Sequence, residues 1–277
     1  MFKKASAAAF IGASILAAAP AFAQDTADWT GVYAGGHIGY GFQPSDRNET
    51  IEFDTNLNGT FGDTVNTSAG VNAFSPGFCG GAATTNAPAG GCRKDRDRVE
   101  FGAHVGFDYQ MQGGLVVGLV GDYTRSRLSD SVSAFSTTPA SYTMTRRLRD
   151  VFSLRARAGA AAGSNLFYGT GGVVRGSLRN SFSTTNTLNS FTGNGNEKGW
   201  GYAVGGGAER RFGTNFSIGV EYLYRSIKAD DYVVRAGPGT AGLTNAFRIV
   251  NANGTDFSRS GDRFTSHGVN LIGNFRF

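Results

Sequence analysis

Residues 99–111 alternate without interruption between two kinds of side chain. Every odd position is apolar, and every even position is polar or glycine. Because successive side chains of a β-strand point to opposite faces, this pattern predicts a strand with one apolar and one polar face. A strand of thirteen residues is longer than usual, and it has the length of a tilted strand that crosses a bilayer.

Tight turns join this strand and others like it into three hairpins. The turns are centred on residues 112–114, 163–165 and 213–215. An opening strand over 32–42 and a closing strand over 265–277 bring the number of strands to eight. The remaining connections are long and polar, at about 43–97, 129–146, 177–198 and 226–262. The sequence therefore predicts an all-β fold, an eight-stranded antiparallel transmembrane up-and-down β-barrel with four long extracellular loops and three short periplasmic turns.

Composition excludes other classes. Glycine supplies 42 of the 277 residues, which argues against helices. The 22 Phe and 10 Tyr give more apolar surface than a disordered chain carries. Beyond the N-terminus there is no run of eighteen apolar residues, so no helical membrane span is expected.

The N-terminus predicts export. Lys3 and Lys4 precede an apolar stretch, Pro20 and a small-residue site at 21–23, which is the pattern of a secretory signal peptide. We expect residues 1–23 to be this cleaved peptide, and residues 24–277 to form one barrel domain in the Gram-negative outer membrane. That domain has 24 basic and 21 acidic residues. Because its arginines are scattered rather than clustered, nucleic acid is not an expected partner.

Cys79 and Cys92 are the only cysteines, and twelve residues separate them. In an exported chain this arrangement favours a disulfide over two free thiols. A metal site is less favoured, because no His, Asp or Glu lies between them and two thiolates do not complete a zinc site.

A soluble barrel of the lipocalin type would show the same alternation with its apolar face turned inward. The C-terminal segment favours the membrane barrel instead. It alternates and finishes on Phe275 and Phe277, which resembles the signal read by the bacterial barrel-assembly machinery. We therefore expect these two residues to form an assembly signal and that machinery to be a partner.

Several glycine-rich and aromatic motifs are spread over most of the chain beyond the signal peptide. They lie at 29–41, 118–123, 154–159, 166–172, 205–209 and 220–224. Together they resemble the small outer-membrane β-barrel surface proteins of alphaproteobacteria, a "porin family" of outer-membrane antigens and hemin-binding proteins similar in architecture to the OmpA barrel. The resemblance implies a surface-exposed barrel and adds hemin to the ligands to consider.

The polar strand faces would line the barrel interior. The expected lumen residues are Arg98, Glu100, His104, Asp108, Asp122, Arg155, Arg157, Arg175, Glu209 and Glu221. An eight-stranded barrel is just wide enough for side chains to fill it, so one interpretation is a salt-bridged plug that pairs its buried charges. The other is a narrow, gated pore whose charges select ions.

Arginines at the outer strand ends predict a contact with lipopolysaccharide. Arg125 and Arg127 end the third strand and Arg146 precedes the fourth, and a guanidinium can bind a lipid phosphate through two hydrogen bonds. The alternative is that they are solvated loop charges. The expected function is to support the envelope and present loops to an extracellular ligand; a passive channel and a hemin- or host-binding adhesin are the alternatives.

Hemin, implied only by the family resemblance, would need an axial ligand such as His267, Tyr142 or Tyr232. An enzyme is not expected, and neither is a cofactor. Ser266 and His267 are the only neighbouring pair of catalytic types, and adjacent strand residues point to opposite faces.

Overall fold

The computed structural model describes residues 27–44, 48–230 and 232–277, and the predicted signal peptide lies outside these ranges. Within them the chain forms strands joined by turns, with short 3-10 turns at Pro88–Gly90 and Gln112–Gly114. The strands are β1 (Gly31–Phe42), β2 (Ile51–Asp54), β3 (Gly77–Gly80), β4 (Ala82–Ala83), β5 (Cys92–Arg93), β6 (Arg98–Gln110), β7 (Leu115–Arg125), β8 (Ser129–Ser136), β9 (Ala140–Ala162), β10 (Asn165–Thr184), β11 (Ser190–Gly193), β12 (Glu197–Phe212), β13 (Phe216–Lys228), β14 (Val234–Gly237), β15 (Thr255–Arg259) and β16 (Arg263–Arg276).

Eight of these strands close into an antiparallel barrel in the order β1, β6, β7, β9, β10, β12, β13, β16. The last strand pairs with the first, so the barrel has no free edge. Gly163 and Gly213 adopt positive φ angles in two of the short turns, a conformation that glycine reaches without a steric cost. The predicted eight-stranded barrel with three short turns and four long connections is confirmed.

The outer wall of the barrel is apolar. Each barrel strand exposes large apolar side chains on its outer face, for example Ile38, Val105, Leu119, Leu154, Phe167, Val204, Val220 and Leu271. A continuous apolar band of this kind is what a bilayer requires of a barrel. No helix in the described residues is long and apolar enough to span a membrane.

The four long connections fold together into one cap on the loop end of the barrel. The cap comprises residues 48–97, 126–149, 177–197 and 229–262. Strands β9 and β10 continue into it well beyond the barrel, and β8 and β3 extend the same sheet. A second sheet, in the order β11, β14, β15, β2, combines strands from three different connections. The sequence predicted long polar loops here and gave no sign that they pair with one another.

An aromatic cluster forms the core of the cap. Phe53 packs against Phe74 and Phe257 with ring centroids 4.4 and 4.9 Å apart, and Phe247 lies 5.2 Å from Phe257. Tyr142 joins from β9, 5.7 Å from Phe247. Burying a side chain of this size contributes about 1.5–3 kcal/mol, so the cap has a hydrophobic core of its own.

A disulfide joins Cys79 in β3 to Cys92 in β5, with the Cα atoms 6.2 Å apart. The enclosed segment lies against β8, where the Ser133 hydroxyl donates to the Gly81 carbonyl and accepts from the Ala83 amide. The bond predicted from the two cysteines is present, and it holds this part of the first connection on the outside of the cap.

Candidate functional site

The short-turn end of the barrel interior is closed by an apolar layer. Trp29 is fully buried there and packs with Val116, Leu166 and Tyr168. Strand alternation places Val116 inward near the start of β7, and Leu166 and Tyr168 inward near the start of β10. The guanidinium of Arg276 lies 5.4 Å from the Trp29 ring, so the apolar layer ends directly on charged residues.

A second apolar layer closes the loop end of the interior. It consists of Leu128, Leu148, Val151, Val174, Leu178, Ala203, Ile227, Ala229 and Phe264, all buried. The barrel interior is thus divided into a charged middle section between two apolar layers. We refer to the middle section as the lumen.

Arg157 is the centre of the lumen network. It contacts Asp108 at 2.9 Å and Glu209 at 2.8 Å, and it lies 4.4 Å above the ring of Tyr168. Asp108 also accepts a hydrogen bond from Arg276 at 2.7 Å. Because all of these carboxylates and guanidiniums are buried, their pairing offsets a large desolvation cost.

Two further ion pairs lie nearer the loop end. Arg155 binds Glu221 through two hydrogen bonds of 3.1 Å and contacts Asp122 at 3.2 Å. Arg225 donates to Glu100 at 2.7 Å. Together with the Arg157 network, these pairs connect all five buried carboxylates of the lumen to guanidiniums.

Two histidines stack between the ion pairs. His37 and His104 have ring centroids 5.9 Å apart and nearly parallel rings. His37 Nε2 lies 3.1 Å from the Thr124 hydroxyl, and His104 Nε2 contacts Oδ1 of Asn274.

The structure corrects two of the predicted lumen residues. Arg98 has the same parity as Glu100 but lies exposed at the end of β6. Arg175 faces outward, in step with Val173, and its guanidinium lies 5.4 Å from the Trp200 ring. The other eight predicted residues do come together.

The lumen also contains two arginines that the sequence analysis did not include, Arg225 and Arg276. Strand alternation was the available signal, because Arg225 shares the parity of Glu221 and Arg276 shares that of the buried Asn274.

Side chains almost fill the lumen. The one cavity described there leaves about 20 Å³ for the centre of a water molecule, which is room for about one water. Its lining includes Tyr33, His37, His104, Asp122, Asn270 and Asn274. Apart from Tyr168, the residues that line the cavity belong to neither apolar layer.

A second buried charge cluster joins three of the connections within the cap. Arg146 contacts Asp130 at 2.8 Å and Glu49 at 3.2 Å, and Arg259 contacts Asp130 at 2.8 Å and Glu49 at 2.7 Å. We call these four residues the cap quartet. Burial by itself would raise the pKa of Asp130, but the guanidiniums of Arg259 and Arg146 outweigh it and leave the pKa below its ordinary value.

Arg146 therefore does not face lipid, and its predicted contact with lipopolysaccharide is wrong. A bulge explains the error: Asp150 pairs with Ser177 and Leu148 with Leu178, so Arg149 is an extra residue in β9. One extra residue reverses the parity of every residue beyond it. Even-numbered side chains of β9 face out below the bulge and into the protein above it, which buries Arg146.

The two other predicted rim arginines differ from each other. Arg125 is half-buried and its charge is paired with Asp150, which also accepts a hydrogen bond from Tyr123 at 2.8 Å. Arg127 is exposed in the connection after β7, and among the described residues it has no ion-pair partner.

Three exposed arginines that the sequence analysis did not identify lie in one row across the strands. Arg96 forms a bridge with Ser129, Ser129 pairs with Arg147, and Arg147 pairs with Arg179. None of the ion pairs between described residues involves these arginines. We call them the arginine row.

The arginine row lies just beyond a ring of aromatic side chains. Phe152 and Trp200 are exposed on the outer wall and are the register partners of Arg175. Arg179 follows four residues later, about 13 Å further along the strand. Aromatic side chains mark the membrane interface of such barrels, so the row lies on the loop side of that interface.

The candidate hemin ligands are hydrogen-bonded or buried within the protein. His267 lies on the outer wall, where its Nδ1 is 2.6 Å from the Tyr222 hydroxyl and its ring stacks on Phe42. Tyr142 is buried in the cap and accepts a hydrogen bond from Asn186. Tyr232 is buried in the cap as well. Ser266 points inward and His267 outward, as expected for neighbours in a strand.

The predicted assembly residues lie on the outer wall at the short-turn end. Phe275 and Phe277 are both exposed, with ring centroids 5.3 Å apart.

Comparison with known proteins identifies the relatives of the chain. No family model matches it. A 31 kDa outer-membrane immunogenic protein of Brucella melitensis is 26% identical over 228 residues, which cover 82% of this chain and 83% of the relative. Over most of its length the chain is similar to this Brucella outer-membrane protein. The protein of the same name from Brucella suis matches to the same extent. The predicted resemblance to small outer-membrane surface antigens and the outer-membrane location are confirmed.

Solved structures give weaker likenesses. OprG, an outer membrane protein of Pseudomonas aeruginosa, is 12% identical with a TM-score of 0.42, over 91% of this chain and 99% of that one. Ail, the attachment invasion locus protein of Yersinia pestis, is 11% identical with a TM-score of 0.33, over 90% and 99%. The outer membrane protease OmpT of Escherichia coli is 11% identical with a TM-score of 0.41, over 89% and 97%. The strand pairing, rather than these alignments, establishes the fold.

Proposed function

We propose that this outer-membrane protein is a closed, non-enzymatic barrel that holds a folded cap at the cell surface and binds lipopolysaccharide phosphates through the arginine row. Its function is to link the cap to the outer leaflet of the outer membrane. The barrel-assembly machinery would insert it through the segment that ends in Phe275 and Phe277.

The closed interior supports a structural role. In the described part of the chain, two apolar layers lie at the ends of the interior, and the lumen cavity between them has room for about one water. A passive channel would need at least one apolar layer to move aside. Hemin binding has less support, because His267 and Tyr142 are already hydrogen-bonded.

The arginine row is the observation that carries the lipopolysaccharide proposal. Arg147 and Arg179 lie directly opposite each other on neighbouring strands, and like charges in such a pair destabilise a sheet. A phosphate bound between them would remove the repulsion and accept charge-assisted hydrogen bonds from both. Arg127 is exposed two residues before Ser129 and so extends the same surface.

The test compares lipopolysaccharide retained by the detergent-purified protein. We expect Arg147→Gln combined with Arg179→Gln to lower retention at least tenfold, since each lost hydrogen bond to a charged group contributes about 1.5–3 kcal/mol. Arg210→Gln is the matched control, because Arg210 is also exposed but lies near the short-turn end. Equal retention by the double variant and the control would refute the proposal.

A further inference from the structure

The arginine row is unevenly spaced. Arg147 and Arg179 are register partners on neighbouring strands, whereas Ser129 of β8 lies between Arg96 and Arg147. Neighbouring strands are about 4.8 Å apart, so the Cα atoms of Arg96 and Arg147 are about 10 Å apart. A phosphate midway between Arg147 and Arg179 would lie about 12 Å from the Arg96 Cα atom. This is too far for Arg96 to share that phosphate with the other two arginines.

Arg127 lies on the same outer face as the row and close to Arg96. It is exposed two residues before Ser129, and Leu128 between them is fully buried in the apolar layer at the loop end. Leu128 accepts a backbone hydrogen bond from Leu148 of β9 at 3.0 Å, so this segment continues alongside the sheet. Two residues of a strand span about 7 Å, which places the Cα atoms of Arg127 and Arg96 about 8 Å apart.

The chain around Arg96 is fastened to β8. Its backbone exchanges two hydrogen bonds with Ser129, at 3.2 and 3.4 Å. The Asp95 carboxylate accepts a hydrogen bond from a backbone amide of β8 at 2.8 Å. Just before this segment, the disulfide from Cys92 leads to Cys79, which is itself paired with β8. The distance across the row is therefore fixed by strand pairing and by a covalent bond.

These arginines carry more positive charge than one phosphate can balance. Arg96, Arg127, Arg147 and Arg179 are all exposed, and no ion pair between described residues involves them. A guanidinium binds phosphate through two parallel hydrogen bonds, and a phosphate can accept from two arginines. Since Arg179 is the nearest partner of Arg147, Arg127 is left to act with Arg96. The surface thus has room for two phosphates.

We propose that the arginine row and Arg127 bind both phosphates of one bisphosphorylated lipid headgroup. The first phosphate lies between Arg147 and Arg179, and the second lies between Arg96 and Arg127. The two positions are about 10 Å apart, a separation suited to phosphates at opposite ends of a disaccharide. The headgroup is therefore that of lipid A, the phosphorylated disaccharide of lipopolysaccharide. This inference rests on the proposed function and specifies which part of lipopolysaccharide is recognised.

The test compares lipid A that carries two phosphates with lipid A that carries one. Detergent-solubilised protein is titrated with each lipid in mixed micelles, and calorimetry gives the dissociation constants. We expect the native protein to bind the bisphosphorylated form at least about tenfold more tightly, because its second phosphate binds intramolecularly. Arg96→Gln combined with Arg127→Gln should make the two affinities equal by weakening only the bisphosphorylated form. Arg210→Gln, at the short-turn end, should keep the native preference.

The outcomes separate this inference from the proposed function. If the native protein binds both forms equally, and Arg147→Gln with Arg179→Gln weakens both, the two-phosphate inference is overturned while the proposed function stands. A preference that survives in the Arg96 and Arg127 variant would also overturn the inference alone. Binding of neither form, or of dextran sulfate only, would overturn both. The substituted side chains are exposed, and the compact band on unboiled gels verifies that each variant folds.

Discussion

Arg146→Met tests whether the cap is held by its buried charges. The native guanidinium contacts Asp130 and Glu49 and donates to the carbonyls of Ala229 and Gly261 at 2.9 and 2.8 Å. Without it, two buried carboxylates share the single remaining guanidinium of the quartet. Breaking one side of a buried ion pair costs about 3–5 kcal/mol, and at 1.4 kcal/mol per tenfold the cap should open roughly 10²- to 10⁴-fold more often.

Hydrogen exchange localises this effect. Amides of β14 and β15 should exchange faster by that factor in Arg146→Met, while amides in the membrane-spanning part of β6 and β7 should not change. Arg147→Met is the matched control, because the neighbouring side chain is exposed. Adding Asp130→Asn restores equal numbers of acid and base and should recover at least half of the loss. An increase of less than tenfold in the exchange of the cap amides, or an increase in the barrel amides as large as that in the cap, would refute the reasoning.

Three further outcomes follow from the structure. Replacing Cys79 and Cys92 by Ser should speed proteolysis between them by removing about 3 kcal/mol of loop constraint, with the barrel band on gels unchanged. Gly35→Ala should destabilise the barrel by about 1–3 kcal/mol, because a Cβ at this position would collide with the neighbouring strand. Gly36→Ala should be neutral, since the atom nearest to its added Cβ would be 3.4 Å away. The urea midpoints of unfolding of the two variants test this difference. Since the pKa of Asp130 is lowered in the fold, its contribution to stability is present above the ordinary value of 3.8 and is lost as pH falls through the lower folded value. The protection factors of the cap amides, which remove the intrinsic pH dependence of exchange, should therefore be constant from about pH 8 to 4 and fall only below that.

Alternation predicted the barrel because it is a local property. In each strand the alternation itself shows which side chains face inward and which face outward. Strands that follow each other in the sequence pair with each other, so their arrangement needs little further information. The same rule would have placed Arg225 and Arg276 in the lumen and Arg175 outside it.

The fold of the cap could not be predicted from alternation. Its core joins Phe53 to Phe257, residues that are about two hundred positions apart, and its second sheet takes strands from three connections. These strands have four or five residues, too few for alternation to stand out. Arg146 was misplaced for a different reason. A single extra residue at Arg149 reverses which side chains of the strand face inward, without changing the composition of the strand.

The shared aromatic core also limits how the surface of this protein can diversify. All four connections contribute to it, through residues such as Phe74, Met144, Phe191 and Phe247. Exchanging one connection for that of a relative would leave the other three with a mismatched core. Variation should therefore accumulate at exposed positions such as Leu243 and Val250. A peptide copied from any single connection would not reproduce the surface that the folded cap presents.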